Sequence, residues 1–272
     1  MSGSRVILTL VTDFGTADGF VGAMKGRVLS LAPNATIVDL SHEIPPQDVT
    51  QGAWCLRRAA PQFPPGTVHL AVVDPGVGSP RRGLVVETER FLFVGPDNGL
   101  LMWAAERDGI RRTIVIDPAR GPWESSRSFD GLSLFATVAG HLLAGLDSAA
   151  AGDAVGEWTT LPFPQPRRSG GRIEGAVIAH DRFGNAITNI PTELIAPGEA
   201  ARIEFGTGGD RREARLCGHY AELEGSGNPG PPNVGAIWNS DGLLGLFVFG
   251  DSARERDHID VGTRVRMTLA QD

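Results

Sequence analysis

Apolar and polar positions follow two rhythms in the first half of the chain. Val6–Thr12 is a short, nearly unbroken apolar run, as expected of a strand buried on both faces. Phe20–Ala32 carries apolar side chains at helical spacing, Thr36–Leu40 returns to a strand pattern, and Val49–Ala60 is helical again. Thr67–Val73, Arg82–Thr88 and Phe91–Val94 read as further strands, and Leu132–Ala144 as the helix that closes the domain. Such alternation predicts a layered α/β architecture.

The rhythm then breaks. Leu161–Arg172 (LPFPQPRRSGGR) mixes prolines, arginines and glycines without a period, which predicts a linker centred on 164–172. Beyond it, Ile173–Ala179, Ala200–Phe205, Ala214–Leu216, Leu243–Phe249 and Arg264–Leu269 read as strands between Gly, Pro and Asn turns. The expectation is an α/β N-terminal domain over 1–163 and a small all-β, barrel-like C-terminal domain over 173–272.

Composition narrows the functional classes. With 41% apolar and 21% charged residues, the 272-residue chain can bury a core and is not disordered. Gly 36 and Pro 19 point to many turns and close backbone approaches. A formal charge of −7, with no basic run longer than Arg-Arg, excludes a nucleic-acid footprint and an anionic membrane surface as partners. The apolar N-terminal run is too short for a signal peptide or a span, and Cys55 and Cys217 are read as reduced thiols of a cytoplasmic protein.

Several segments place Asp or Asn beside glycine where a strand should end: Thr12-Asp13-Phe14-Gly15, Asp74-Pro75-Gly76-Val77-Gly78, Gly95-Pro96-Asp97-Asn98-Gly99 and Phe183-Gly184-Asn185. Ligands of α/β sheets sit at strand carboxyl ends, where loops form a crevice. Asp13 either caps the following helix, the commoner use of such a residue, or accepts hydrogen bonds from a vicinal diol such as a ribose. Asp74 with Arg81 or Arg82 either forms a loop salt bridge or fixes and polarises a water molecule. The Asp-Phe-Gly triplet has no kinase motif around it, and neither a phosphate-cradling Gly-Lys-Ser/Thr loop nor a serine-hydrolase elbow is present. The histidines (His42, His69, His141, His180, His219, His258) have no metal-ligand spacing, so no metal site is expected.

The ordered string LTLVTDFGTADGFVGAMKG, IVDLSHEIPPQDVTQGAW, FPPGTVHLAVVDPGVGSPRR, FVGPDNGLL, HDRFGNAITNI and IWNSDGLL resembles the S-adenosylmethionine (SAM) hydrolases, also called SAM hydroxide adenosyltransferases, which are related to SAM-dependent chlorinases and fluorinases. The resemblance runs almost end to end. It implies an α/β domain followed by a β domain, and a homotrimer whose ligand lies between the N-terminal domain of one chain and the C-terminal domain of the next. It implies hydrolysis of SAM at the ribose 5′-carbon to adenosine and L-methionine, with SAM as substrate and no further cofactor.

Matched residue by residue, Asp13 corresponds to the aspartate that holds the ribose hydroxyls, and Asp74 and Arg81 to two members of the water-positioning triad. Phe129 stands in the same site, Asp181, Phe183 and Asn185 match a segment contacting methionine and the adenosyl group, and Asn239 and Ser240 match one near the methionine carboxylate. Two departures stand out. Family hydrolases have Phe-His-Gly-Arg-Asp where this chain has Phe129-Asp130-Gly131-Leu132-Ser133, so Asp130 occupies the place of the third triad member. Asp241 follows Asn239-Ser240 where the halogenases have an arginine. Two other readings share this framework: a halogenase using chloride, and a SAM-binding sensor without catalysis.

Overall fold

The computed structural model describes residues 6–126, 128–195, 201–224 and 233–269. The chain divides into two compact units, Met1–Pro162 and Phe163–Asp272.

The first unit is built on a seven-stranded mixed sheet. Its strands are β1 (Ile7–Thr12), β2 (Thr36–Ser41), β3 (Val68–Val72), β4 (Gly83–Thr88), β5 (Leu92–Pro96), β6 (Ile110–Ile116) and β7 (Gly152–Val155). They lie in the order β2-β1-β3-β5-β4-β6-β7. The first four of that order pair in parallel, and β4, β6 and β7 add antiparallel. Helices α1 (Phe20–Leu31), α2 (Val49–Ala59), α3 (Met102–Asp108) and α4 (Thr137–Leu143) cover it.

Strand alternation explains the layering. Leu8 and Leu10 of β1 and Leu70 and Val72 of β3 share a core with Met24 and Val28 of α1 and Val138 and Leu142 of α4. Val11 points the other way and is equally buried, on the side where α2 lies against β1 and packs on α3. This is the expected α/β layering.

The structure differs from the sequence expectation in two places. The closing helix begins as a π-helical turn, Gly131–Ala136, before regular α4, and the backbone carbonyl of Phe129 takes both the Leu132 and Ser133 N–H groups at 3.3 Å. Helix α3 and strands β6 and β7 are additional elements that the apolar pattern did not single out.

The second unit contains β8 (Arg167–Ser169), β9 (Arg172–His180), β10 (Ala186–Pro191), β11 (Ala201–Gly206), β12 (Arg212–Leu216), β13 (Gly235–Trp238), β14 (Leu243–Phe247) and β15 (Arg264–Leu269), with the short helix α5 (Ala253–Asp257). Strand order β10-β14-β13-β12-β11-β15-β9, with β9 pairing back on β10, closes a seven-stranded barrel. Closure removes the exposed edges of an open sheet. Among the described residues of this unit, only β12 and β13 pair in parallel. Ile190, Phe205, Ala236, Leu244, Leu246 and Met267 fill the interior.

Strand β8 lies inside the segment read as a linker. Gly170 and Gly171, with φ of 53° and 71°, make its tight hairpin turn to β9. Ala200, the expected first residue of the next strand, lies outside the described residues. Among the described residues, no helix is long and apolar enough to cross a membrane.

Candidate active site

The N-terminal cluster forms where the sheet changes direction. From β1 the chain crosses to β2 on one side and later returns to β3 on the other, so the carboxyl ends of neighbouring β1 and β3 flank a topological switch point. Asp13 directly follows β1, and Asp74 follows β3 after Val73.

Asp13 is not a helix cap. A loop separates it from α1, whose N-cap position is Gly19, so the capping alternative is set aside. Its Oδ2 instead accepts the backbone N–H of Gln47 at 2.8 Å. Gln47 holds φ at 65°, a left-handed conformation that costs energy for a non-glycine residue. Among the described residues, that is the hydrogen bond the carboxylate makes, leaving Oδ1 available.

Asp74 is gripped by Arg81. Arg81 Nε lies 3.1 and 2.9 Å from the two carboxylate oxygens, and Nη2 lies 2.5 Å from Oδ2. The Gly76 N–H adds a contact to Oδ1 at 3.2 Å. The same Arg81 Nη2 reaches Asp130 Oδ2 at 2.5 Å. Asp130 also accepts the Ser126 N–H at 2.5 Å and the Ser125 hydroxyl at 3.2 Å.

The side chains of Arg81, Asp74 and Asp130 are 11%, 5% and 2% exposed, so water screens these contacts weakly. Burial by itself pushes the guanidinium pKa down, but the hydrogen bonds and charges of Asp74 and Asp130 outweigh it, leaving it above its ordinary value. The Arg81 guanidinium also lies over the Phe135 ring, 5.1 Å from its centroid. One cation thus serves two carboxylates.

Phe129, adjacent to Asp130, meets Phe14 edge-on at 5.7 Å and Phe20 at 4.9 Å, forming an aromatic wall. Phe20 is 45% exposed, which is unusual for a large apolar ring at the start of a helix. Arg82 turns away from this cluster to Asp97, whose other oxygen accepts the Thr159 N–H at 2.7 Å. Asn98 donates to the Val73 carbonyl at 2.8 Å, so Gly95–Asn98 braces the end of β3.

The second unit, taken by itself, holds another set of sequence-predicted residues. Asp181 Oδ1 accepts the Phe183 and Asn185 N–H groups, each at 2.9 Å, and Oδ2 accepts the Asn185 side-chain amide at 2.8 Å. This Asx-type turn thrusts Phe183 into solvent, 77% exposed. Asp181, Phe183 and Asn185 line a cleft of about 660 Å³ together with Tyr220, Phe249 and Ser252.

Asn239 and Ser240 lie elsewhere. Asn239 Oδ1 takes the Asp241 and Leu243 N–H groups at 2.9 and 3.0 Å and so builds the β13–β14 turn, on which Ser240 is exposed. This turn and the cleft sit at opposite ends of β14, about 15 Å apart at the rise of a strand. Sequence reasoning missed Gln47, Phe20, Ser125, Ser126, Tyr220 and Phe249. Their signals are a strained backbone, hydroxyl and backbone donors or exposed rings, none of which is visible in sequence.

The comparisons with known proteins agree over both units. The family model described as the SAM hydroxide adenosyltransferase N-terminal domain matches residues 8–152, and that for the C-terminal domain matches residues 175–266. An (R)-S-adenosyl-L-methionine hydrolase from Salinispora arenicola is 42% identical over 96% of this chain and 97% of its own length. One of the same name from Thermus thermophilus is 37% identical over 94% and 97%. The crystal structure of an uncharacterized conserved protein from Thermotoga maritima superposes with a TM-score of 0.84 at 29% identity, covering 96% of this chain and 99% of that one. With both halves matched and its fold shared, the chain belongs to the SAM hydroxide adenosyltransferase family.

Proposed function

We propose that the chain hydrolyses SAM, the (R)-sulfonium epimer in particular, to adenosine and L-methionine. The observation that carries this reading is the buried Asp74 carboxylate at the carboxyl end of β3, fixed by Arg81 inside a fold whose relatives are named for this reaction.

The chemistry asks little of the protein beyond geometry. Water oxygen forms a bond to C5′, the C5′–S bond breaks, and its electron pair leaves with sulfur as a neutral thioether. No general acid is required. One water proton must depart, and Asp74 is the assigned acceptor. A carboxylate held by a guanidinium is a weak base, so its main contribution is to aim a water lone pair at C5′. Arg81 fixes the plane of Asp74, and Asp130 fixes Arg81. Asp13 is assigned the ribose diol, with Phe129 forming an apolar wall at the same site.

From the C-terminal unit, Asp181, Phe183 and Asn185 are assigned to the adenosyl and methionine groups, and Asn239 and Ser240 to the carboxylate end of methionine. In this reading those residues reach the substrate within a homotrimer, from a neighbouring copy of the chain. SAM is the substrate, and the reaction as written calls for no cofactor.

Chloride is a poor nucleophile here because the Asp74 carboxylate opposes a further anion beside it in a weakly screened site. The test is incubation with separated (R) and (S) epimers in H₂¹⁸O, with and without chloride. Adenosine carrying ¹⁸O at its 5′-oxygen, formed independently of chloride, is the expected result. Bound but intact SAM makes the protein a sensor, and 5′-chloro-5′-deoxyadenosine makes it a halogenase.

A further inference from the structure

Behind the loop that carries Asp13 runs a buried polar chain that neither the sequence reading nor the proposed reaction uses. Thr12, fully buried, precedes Asp13, and its hydroxyl oxygen accepts the Phe14 N–H at 3.3 Å. The same oxygen lies 2.8 Å from His42 Nδ1. His42 is buried at the end of β2, and its carbonyl takes the Gly15 N–H at 2.8 Å. Both residues flanking Asp13 on its C-terminal side are therefore tied to the Thr12–His42 pair.

The chain continues outward. His42 Nε2 stands 3.0 Å from Asp39 Oδ1, an electrostatic contact not aligned as a straight hydrogen bond, and Lys25 Nζ from α1 lies 2.5 Å from Asp39 Oδ2. Lys25 is the only lysine of the chain. Burial pushes the Asp39 carboxyl up, but its contacts with Lys25 and His42 prevail and hold it below the usual range. An ionised carboxylate only accepts, so it draws the imidazole proton to Nε2. Nδ1 is then the acceptor for the Thr12 hydroxyl, which frees the Thr12 lone pairs for the Phe14 N–H. Each link fixes the orientation of the next.

We propose that His42, oriented by Asp39 and Lys25, is a positioning residue that sets the Asp13 carboxylate through Thr12 and the Phe14 and Gly15 amides. Gln47 secures the carboxylate itself, and this network secures the backbone beneath it. The inference rests on the assignment of Asp13 to the ribose diol. It predicts that the network governs recognition of ribose hydroxyls, whereas the cleavage step depends on Asp74 and Arg81.

The test compares calorimetric Kd values for adenosine and 2′,3′-dideoxyadenosine in the wild type and in Thr12→Val, Thr12→Ser and Lys25→Met. Thermal unfolding of each variant and KM and kcat for SAM are measured alongside. Thr12→Val keeps the volume and loses the hydroxyl, and Lys25→Met acts at the partly exposed end of the chain, where folding is least at risk. The wild type should prefer adenosine, and Thr12→Val should lower that preference about tenfold, the effect of one misplaced hydrogen bond. KM should rise with kcat little changed, Thr12→Ser should restore both, and Lys25→Met should show a smaller loss in the same direction. A folded Thr12→Val protein with undiminished preference overturns the inference and leaves the hydrolase reading intact. A wild type without any preference for adenosine overturns the ribose assignment of Asp13 and the inference with it.

Discussion

Arg81 holds Asp74 side-on, with Nε and Nη2 converging on Oδ2 at 2.9 and 2.5 Å while Nε also touches Oδ1 at 3.1 Å. Two-nitrogen contact fixes the carboxylate plane as well as its position, which a lysine at the same place would not do. An aspartate held this way can present its remaining lone pairs in one direction only. Asp74→Asn keeps the size of the group but loses its charge and turns one acceptor into a donor. The expected result is a kcat lowered about 100-fold or more, with KM for SAM nearly unchanged. Full turnover by a folded Asp74→Asn enzyme would remove Asp74 from the mechanism.

Asp130 is the second carboxylate on the same guanidinium, and it also receives Ser125 and Ser126. Asp130→Ala would leave those donors without their acceptor and half of the Arg81 fork, which is largely buried, unopposed. A loss of about 2–4 kcal/mol is expected, seen as a fall in Tm of about 5–10 °C. Asp130→Asn can still accept from the Ser126 N–H and should recover part of the stability, whereas its kcat should stay below wild type because Arg81 is no longer pulled from both sides. Equal activity in wild type and Asp130→Asn would show that Asp130 serves folding alone.

How much of this was readable beforehand depended on how far apart the interacting residues are in sequence. Strand β15 matches its expected range of Arg264–Leu269 because Arg-Val-Arg-Met-Thr-Leu alternates strictly and one face is buried. Strand β10 escaped notice because Asn189, ordinarily a turn residue, is buried in it, where the Ala176 N–H and the Pro164 carbonyl satisfy it. The Asp74–Arg81 pair lies within a single loop, so its spacing was suggestive. Asp130 joins that pair from a distant turn, and only the family resemblance pointed to it. That Asp13 does not cap α1 follows from the loop that separates it from the N-cap Gly19, and its contact with Gln47 is tertiary, which no local pattern encodes.

Phe183 separates binding from folding. A ring 77% exposed at the rim of the Tyr220–Phe249 cleft contributes little to the core, so Phe183→Ala should leave Tm essentially unchanged. If it packs on the adenosyl group, KM for SAM should rise about tenfold through lost apolar contact, and adenosine should inhibit less well. An unchanged KM, measured by adenosine release, would take Phe183 out of the site.

His69 gives the fold a distinct acid sensitivity. The ring is fully buried between Phe63, Phe91 and Phe93, its Nδ1 meets Thr9 Oγ1 at 2.7 Å, and Nε2 has no hydrogen-bond partner among the described residues. Burial is the main cause that pushes its pKa down from 6.5 to about 3. The unfolded chain therefore binds a proton at His69 below pH 6.5, whereas the folded chain refuses it until about pH 3. This site's contribution is complete above the unfolded value and is lost progressively as the pH falls from 6.5 toward 3. At pH 4.5 the loss amounts to about 3 kcal/mol. Carboxylates held below their ordinary range, Asp108 and Glu87 among them, also destabilise the fold in acid, so the wild type alone does not isolate the histidine. His69→Asn supplies a neutral side chain able to meet Thr9. Urea unfolding at pH 7 and pH 4.5 should show the variant losing about 3 kcal/mol less than the wild type between the two conditions. Identical losses would mean that His69 is protonated without penalty in the folded protein, and that its aromatic enclosure admits water.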